Sequence, residues 1–230
     1  MDRRKFISLT GTGMAGLVLK PIFKHVPDSS LSNDSKQPLV FCLGSEIPGS
    51  IYRFCKSKGI KYYNLNIDIE SLQANFGNDM GTILLTGLTV HENYNWIFSA
   101  VLSAINEDII LHSVEESKAN LIGLMNNHSP VFLVTKLNNT VANTVTPLIS
   151  EYAKEENLRT TAVICMPFEF EGTKKITMAK ESLLKINEHA DSKVIYPSNL
   201  GFGNITLGEA HERAGNVFFE KFKETIAPYL

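Results

Sequence analysis

From Pro38 onward, short apolar runs alternate with segments whose apolar residues recur at helical spacing, and this alternation permits few folds. The candidate strands are PLVFCL (38–43), IKYYNL (60–65), TILL (82–85), VFLVT (131–135), TTAVICM (160–166) and KVIY (193–196). Strands that alternate with helices are joined by right-handed crossovers and pair in parallel. We therefore predict an α/β fold: a Rossmann-like, mostly parallel sheet with helices on both faces.

Two segments carry a clear helical stripe of apolar residues. The first stripe consists of Ile176, Ala179, Leu183 and Ile186, and the second of Leu207, Ala210, Ala214, Phe218 and Phe222. The second stripe predicts a final helix of about 20 residues, roughly 30 Å long.

Composition excludes several classes of function. The chain has 230 residues, 43% of them hydrophobic, which suffices for one sizeable core plus a tail. Its 22 basic and 24 acidic residues form no long run of either sign, so we expect no nucleic-acid partner. Neither Cys-x-x-Cys nor His-Glu-x-x-His occurs, and the sequence supports no metal site.

The N-terminal segment, residues 1–25, differs from the rest of the chain. Arg3 and Arg4 precede Phe6 and a weakly apolar run, a pattern that resembles a twin-arginine export signal. The run is short for a membrane span, which needs about 20 apolar residues. We predict export to the periplasm or the membrane surface. A peripheral membrane anchor, a frayed basic tail and cytoplasmic residence are the alternatives.

Residues 26–37 form a polar linker with no packing periodicity, and residues 38–230 form the folded domain. In an open parallel sheet, ligands bind beyond the carboxyl ends of the strands. The turn after the fourth strand, in VFLVTKLNNTVANTVTP, therefore stands where a ligand is expected, and we predict that Pro147 opens the helix that follows it. A phosphate-binding turn is normally rich in glycine, and this one has none.

The run TAVICMPFEFEGTKKITMAKESLLKINEHADSKVIYPSN resembles the FtsZ/tubulin family of GTPases around its PFNFEG motif. The matching positions are Pro167, Phe168, Phe170, Glu171, Gly172, His189, Asp191, Ser192 and Pro197. Upstream, Asn66, Asp68 and Leu72 match the family's NTDxxxL turn, and Gly87, Leu88 and Asn93 match its GLGAGAN loop. ITLGEAHERAGNV is similar to the start of the family's long central helix. The resemblance covers residues 38–230 and implies the family's GTPase-domain fold.

The resemblance also implies that the phosphate chemistry has been lost. The glycines of the family's GGGTGTG loop fall on Asn138, Asn139, Thr140, Ala142 and Thr144. The first phosphate turn keeps Gly44 but gains Glu46, whose carboxylate we expect to repel a phosphate. On the central helix the family's base-binding Phe, Asn and Asp fall on His211, Gly215 and Asn216, so we expect no stacking platform and no guanine-reading carboxylate. Of the ribose contacts, Glu171 is retained and Lys175 replaces an arginine.

In this family the water-positioning acidic residue follows the central helix and acts on the next subunit's nucleotide. Because the sequence ends at IAPYL, we expect neither that loop nor the second domain, and we assign no catalytic residue. If a nucleotide binds, the candidate contacts are Gly44, Asn66, Asp68, Asn138, Asn139, Thr140, Glu171, Lys175 and Asn216. The structural alternative for Asn66 and Asp68 is an N-cap of the helix that begins near IESL, and for Glu171 a cap on the helix that follows Gly172.

Two functions fit the sequence. In the first, the chain is a degenerate, non-hydrolysing FtsZ/tubulin-like domain, exported or membrane-held, that acts as a binding or scaffolding module for a protein partner or an FtsZ-like subunit and takes no cofactor. In the second, it is a cytoplasmic nucleotide-binding protein that still uses GTP or GDP, with weak or partner-dependent GTPase activity.

Overall fold

Six parallel strands form the centre of the structure, a computed structural model that describes residues 36–44, 46–66, 82–85, 107–201 and 205–230. The strands are β1 (Leu39–Leu43), β2 (Lys61–Asn66), β3 (Thr82–Leu85), β4 (Val131–Lys136), β5 (Thr160–Cys165) and β6 (Asp191–Ile195). They pair in the order β3-β2-β1-β4-β5-β6, and every pairing is parallel. The predicted fold class is confirmed, with all six strands within about two residues of their predicted bounds.

Five α-helices are described: α1 (Gly49–Lys58), α2 (Glu107–Asn126), α3 (Thr140–Glu155), α4 (Thr173–His189) and α5 (Leu207–Ile226). Short 3₁₀ helices cover Glu169–Glu171, Pro197–Leu200 and Ala227–Tyr229. The described residues belong to one compact unit, Ser35–Leu230. None of the described helices has the length and apolar character that crossing a membrane requires.

Helices cover both faces of the sheet. On β1, Leu39, Phe41 and Leu43 are buried in one cluster with residues of α2, α3 and α4. Val40 and Cys42 are buried in a second cluster with residues of α1 and α5. Since both faces of β1 are buried, its sequence is a continuous apolar run.

The predicted stripe on α5 is correct except at its first member. Ala210, Ala214, Phe218 and Phe222 are buried, whereas Leu207 is 58% exposed. Leu207 is the first residue of the helix and precedes the turn at which Ala210 joins the core.

Pro147 lies inside α3, so the prediction that it opens this helix is wrong. The helix begins at Thr140. Because proline has no N–H, the Asn143 carbonyl four residues earlier lacks its usual intrahelical donor. The Ser182 hydroxyl of α4 lies 2.9 Å from that carbonyl oxygen and donates to it. A contact between two helices thus replaces the hydrogen bond that proline removes.

We expect Ser182→Ala to lower the free energy of unfolding by about 1–3 kcal/mol, because the buried Asn143 carbonyl loses its donor. In a Pro147→Ala background the helix supplies its own N–H, so the same substitution should cost less. Urea unfolding of the four proteins of this cycle measures the difference. Equal costs in both backgrounds would show that Ser182 acts only through its second acceptor, the Met178 carbonyl of its own helix.

The predicted signal or anchor segment, residues 1–25, and nearly all of the predicted linker lie outside the described residues. Export and peripheral membrane attachment therefore stay predictions.

Candidate functional site

The candidate site lies where β1 and β4 end side by side at the carboxyl edge of the sheet. The two strands are in register up to Leu43 and Thr135. Beyond them, Gly44 follows β1, while Asn138 and Asn139 connect β4 to α3. Gly44 has a φ of +90°, a conformation that side-chain-bearing residues rarely adopt. Four of the predicted site residues, Gly44, Asn138, Asn139 and Thr140, therefore meet at one corner, which we call the phosphate corner.

Asn139 fills the phosphate corner with its own side chain. It is the N-cap of α3, and its Oδ1 accepts a hydrogen bond of 2.9 Å from the Ala142 N–H. Its Nδ2 donates to Asn138 Oδ1 over 3.1 Å. A Cβ placed on Gly44 would lie 3.4 Å from Asn139 Nδ2 and 3.3 Å from the Ala142 Cβ. The carboxamide is thus fixed against the Gly44 backbone.

This arrangement competes with an anion for the same place. A phosphate at a helix N-terminus binds the unpaired first-turn N–H groups and approaches the backbone closely. In α3, the Ala142 N–H already has an acceptor within the protein. The Asn139 side chain thus makes one of the contacts that an anion at this helix N-terminus would make, and the loss of phosphate chemistry stays a prediction.

Asn139→Ala should lower the free energy of unfolding by about 1 kcal/mol, the usual cost of losing an N-cap. Asn216→Ala is the matched control, since Asn216 is exposed within α5. Chemical denaturation of both variants tests the assignment. A cost for Asn139→Ala no larger than the control's would show that the cap contributes nothing to stability.

Glu46 does not point a free carboxylate at the phosphate corner, so this part of the sequence prediction needs correction. Its Oε2 lies 3.2 Å from Lys136 Nζ at the end of β4. The Lys136 side chain is only 13% exposed and that of Glu46 48% exposed. The ion pair balances the charge that we expected to repel a ligand, and Lys136 is a residue that the sequence analysis missed.

Cys165, the last residue of β5, is fully buried, and its carbonyl accepts a hydrogen bond from the Leu137 N–H. Burial raises the pKa of the Cys165 thiol to about 11; the positive charge of Lys136 opposes the rise, and the carboxylates of Glu171 and Glu46 add to it. The thiol is therefore neutral near pH 7 and is a packing group rather than a nucleophile.

Glu171 and Lys175 bind each other after β5. Glu171 Oε1 accepts from the Phe168 N–H at 3.0 Å, and Oε2 lies 3.1 Å from Lys175 Nζ. Glu171 thus stabilises the short 3₁₀ helix Glu169–Glu171. The structural alternative, a cap on the helix that follows, is wrong, because the N-cap of α4 is Gly172 and no side chain caps it. Both carboxylate oxygens of Glu171 have partners within the protein, and its side chain is only 13% exposed.

Three rings meet beside this turn. The Phe168 and Phe170 rings stack with centroids 4.8 Å apart, and the His211 imidazole lies 4.7 Å from the Phe168 ring. Phe170 is 60% exposed. We call these three residues the aromatic cluster. His211 is half-buried against Phe168, and the expected loss of a base-stacking platform on α5 stays a prediction.

Of the remaining predicted residues, Asn66 follows Leu65, whose carbonyl accepts a hydrogen bond of 3.2 Å from the Gly44 N–H at the phosphate corner. Asn216 is exposed in α5. Asn66 ends β2 and is in register with Leu85, but its side chain and the whole of Asp68 lie outside the described residues. Within the described ranges, no three His, Cys, Asp or Glu side chains are placed to share a metal ion.

Comparisons with known proteins agree with this geometry. No family model matches the chain. The chain is 27% identical over 165 residues to the cell division protein FtsZ of Buchnera aphidicola, a match that covers 70% of this chain and 40% of that protein. A point mutant of FtsZ from M. jannaschii superposes with a TM-score of 0.66 at 22% identity, covering 82% of this chain and 55% of that chain. An empty FtsZ dimer from M. jannaschii gives a TM-score of 0.65 at 23% identity, over 81% and 53% of the two chains.

The chain thus has the FtsZ/tubulin fold, as the resemblance predicted. It spans about two fifths of the length of the curated relatives that it matches.

Proposed function

We propose that this chain is a non-hydrolysing binding or scaffolding module built on the FtsZ/tubulin fold. The observation that carries the proposal is the Asn139 carboxamide, which caps α3 and packs against Gly44 where a nucleotide phosphate would lie. A side chain in this place stabilises the fold without a ligand. Such a domain keeps the surfaces of its relatives while losing their chemistry.

The free-energy costs of admitting a phosphate predict that any nucleotide binds weakly. A phosphate that displaced Asn139 would cost about 1 kcal/mol of capping energy, and recruiting Lys136 from Glu46 would cost up to about 1 kcal/mol more. Replacing glycines by residues that carry a Cβ adds roughly 1–2 kcal/mol for each left-handed position that a phosphate loop requires. A micromolar site is worth about 8 kcal/mol, so a total loss near 4 kcal/mol moves the dissociation constant toward millimolar.

A protein partner is the natural ligand class for such a module. One relative by structure, FtsZ of M. jannaschii, is known as a dimer, which makes an FtsZ-like subunit one candidate partner. We further propose that Arg3 and Arg4 direct export, with a peripheral membrane anchor as the alternative role of residues 1–25. An exported protein would meet no pool of GTP.

Two measurements test this proposal. Phosphate release from GTP by the purified full chain should not exceed the buffer blank, because no residue in the phosphate corner is placed to activate water. Cell fractionation should place the chain outside the cytoplasm, and Arg3→Lys with Arg4→Lys should retain it inside. GTP turnover above the blank overturns the first part, and cytoplasmic residence with the arginines intact overturns the second.

The aromatic cluster favours a second candidate, a weak nucleotide-binding protein. Phe170, which is 60% exposed and stacks on the buried Phe168, offers a ring face on which a planar base can stack, and a stacked base contributes about 1–3 kcal/mol. A nucleoside or another planar ligand with little phosphate charge fits the aromatic cluster better than a triphosphate. Titrating guanosine and GTP in parallel separates the two candidates. The second candidate function requires that guanosine or GTP binds and that Phe170→Ala weakens this binding.

A further inference from the structure

We propose that the groove between α2 and α3 docks a basic amphipathic segment of a partner protein. This groove has a volume of about 400 Å³, and no residue of the phosphate corner lines it. Its lining combines apolar and acidic side chains: Asp108, Leu111, His112, Glu115, Leu148 and Tyr152.

The groove offers an apolar anchor point. Leu111 is 38% exposed on a helix that buries Ile110 and Val114 completely. Leu148 of α3 packs against the core from the other side of the groove. Apolar surface of this kind, with a polar rim, is typical of sites that bind protein segments.

The groove is held in shape by contacts across the two helices. Tyr152 of α3 donates its hydroxyl to Glu115 Oε2 of α2 over 2.8 Å. Lys118 Nζ lies 4.4 Å from the centre of the Tyr152 ring and 3.3 Å from Glu155 Oε2. Because the groove is preformed, binding a segment costs little free energy for ordering the side chains of the groove.

The charge of the two helices selects a cationic segment. Together α2 and α3 carry six carboxylates and two lysines, although the whole chain has a net charge of only −2. One of the lysines, Lys118, is already paired with Glu155. In the groove itself, Asp108 and Glu115 bring two carboxylates and no described lysine or arginine lines it, so a lysine or arginine next to an apolar side chain complements the lining.

The same charge argues against other occupants. A second copy docking through this face would bring two acidic surfaces together, which costs free energy. Nucleic acid is repelled for the same reason. A peptide segment with a leucine-like side chain beside one or two cations satisfies both the apolar and the acidic parts of the groove.

This inference rests on the proposed role as a binding module and names the surface and the chemistry of the partner. It uses no residue of the phosphate corner. A failure here therefore leaves the GTP measurements intact, and GTP turnover would leave this groove intact.

The test is selection of peptides from a random phage-displayed library on the full chain, followed by affinity measurements with the synthetic winners. We expect the winners to pair Lys or Arg with Leu, Ile or Phe, and to bind more weakly as salt rises. Leu111→Ser should weaken peptide binding about tenfold or more, because the substitution removes the apolar side chain that anchors the peptide. Glu115→Gln, which still accepts the Tyr152 hydroxyl, should weaken it about threefold to tenfold.

Leu184→Ser on α4 is the matched control, because Leu184 is a 67% exposed leucine far from these lining residues in sequence. It should leave binding unchanged. Circular dichroism confirms that each variant folds. The proposal is overturned if the library yields no binder, if the winners are acidic or ignore Leu111→Ser, or if the chain self-associates through this face and Leu111→Ser abolishes that association.

Discussion

Gly44→Ala is expected to lower the free energy of unfolding by about 2–6 kcal/mol. The φ of +90° at this position imposes a conformational penalty of about 1–3 kcal/mol on any residue with a Cβ. The new methyl group would also meet the Ala142 Cβ at 3.3 Å and Asn139 Nδ2 at 3.4 Å, and overpacking of this kind costs about 1–3 kcal/mol. Urea unfolding measures the sum.

Gly172→Ala is the matched control for the phosphate corner. Gly172 has a φ of +100°, but no atom lies within 4 Å of a Cβ placed there. It should carry the conformational penalty alone. Equal losses at Gly44 and Gly172 would show that Asn139 and α3 do not press on the Gly44 backbone, and the corner would then have room for a ligand.

Phe222→Ala should cost about 3–5 kcal/mol, the usual loss for a fully buried phenylalanine. Phe222 has no exposed surface, and its ring packs edge-on against Phe54 of α1 with centroids 6.0 Å apart. The substitution would leave a cavity between α5, α1 and the sheet. Equilibrium unfolding in urea gives the value.

Phe219→Ala provides the comparison, because Phe219 lies on the same helix and contacts the same Phe54 ring but is only half-buried. We expect it to cost less than about half as much, since less apolar surface is lost. If both substitutions cost the same small amount, α5 is not part of the cooperative core.

The fold was predictable because burial on both faces of the sheet leaves a direct trace in the sequence. β1, β4 and β5 are buried along their length, so each reads as an unbroken apolar run between polar segments. The stripe on α5 was equally clear from Ala210 to Phe222. These features depend on residues that are neighbours along the chain.

The details of the site depend on pairs that are distant along the chain. Ser182 satisfies the Asn143 carbonyl from 39 residues away, which lets a helix pass through Pro147. Lys136 neutralises Glu46 from 90 residues away. Local patterns carry no signal for such contacts, and so the helix start and the charge of the corner were mispredicted.

Asn138 and Asn139 show a further limit of prediction from the sequence. Their replacement of glycines was visible in the sequence, but not its consequence. Only the structure shows that one asparagine caps α3 through the Ala142 N–H and is held by the other. The asparagines therefore stabilise the start of α3 through contacts that the sequence pattern did not reveal.

If Asn139 closes the phosphate corner as we propose, isothermal titration of the full chain with GTP and with GDP should give dissociation constants weaker than about 1 mM for both nucleotides, since a loss of roughly 4 kcal/mol brings a micromolar site to this range. A dissociation constant of about 10 μM or tighter for either nucleotide would contradict this proposal.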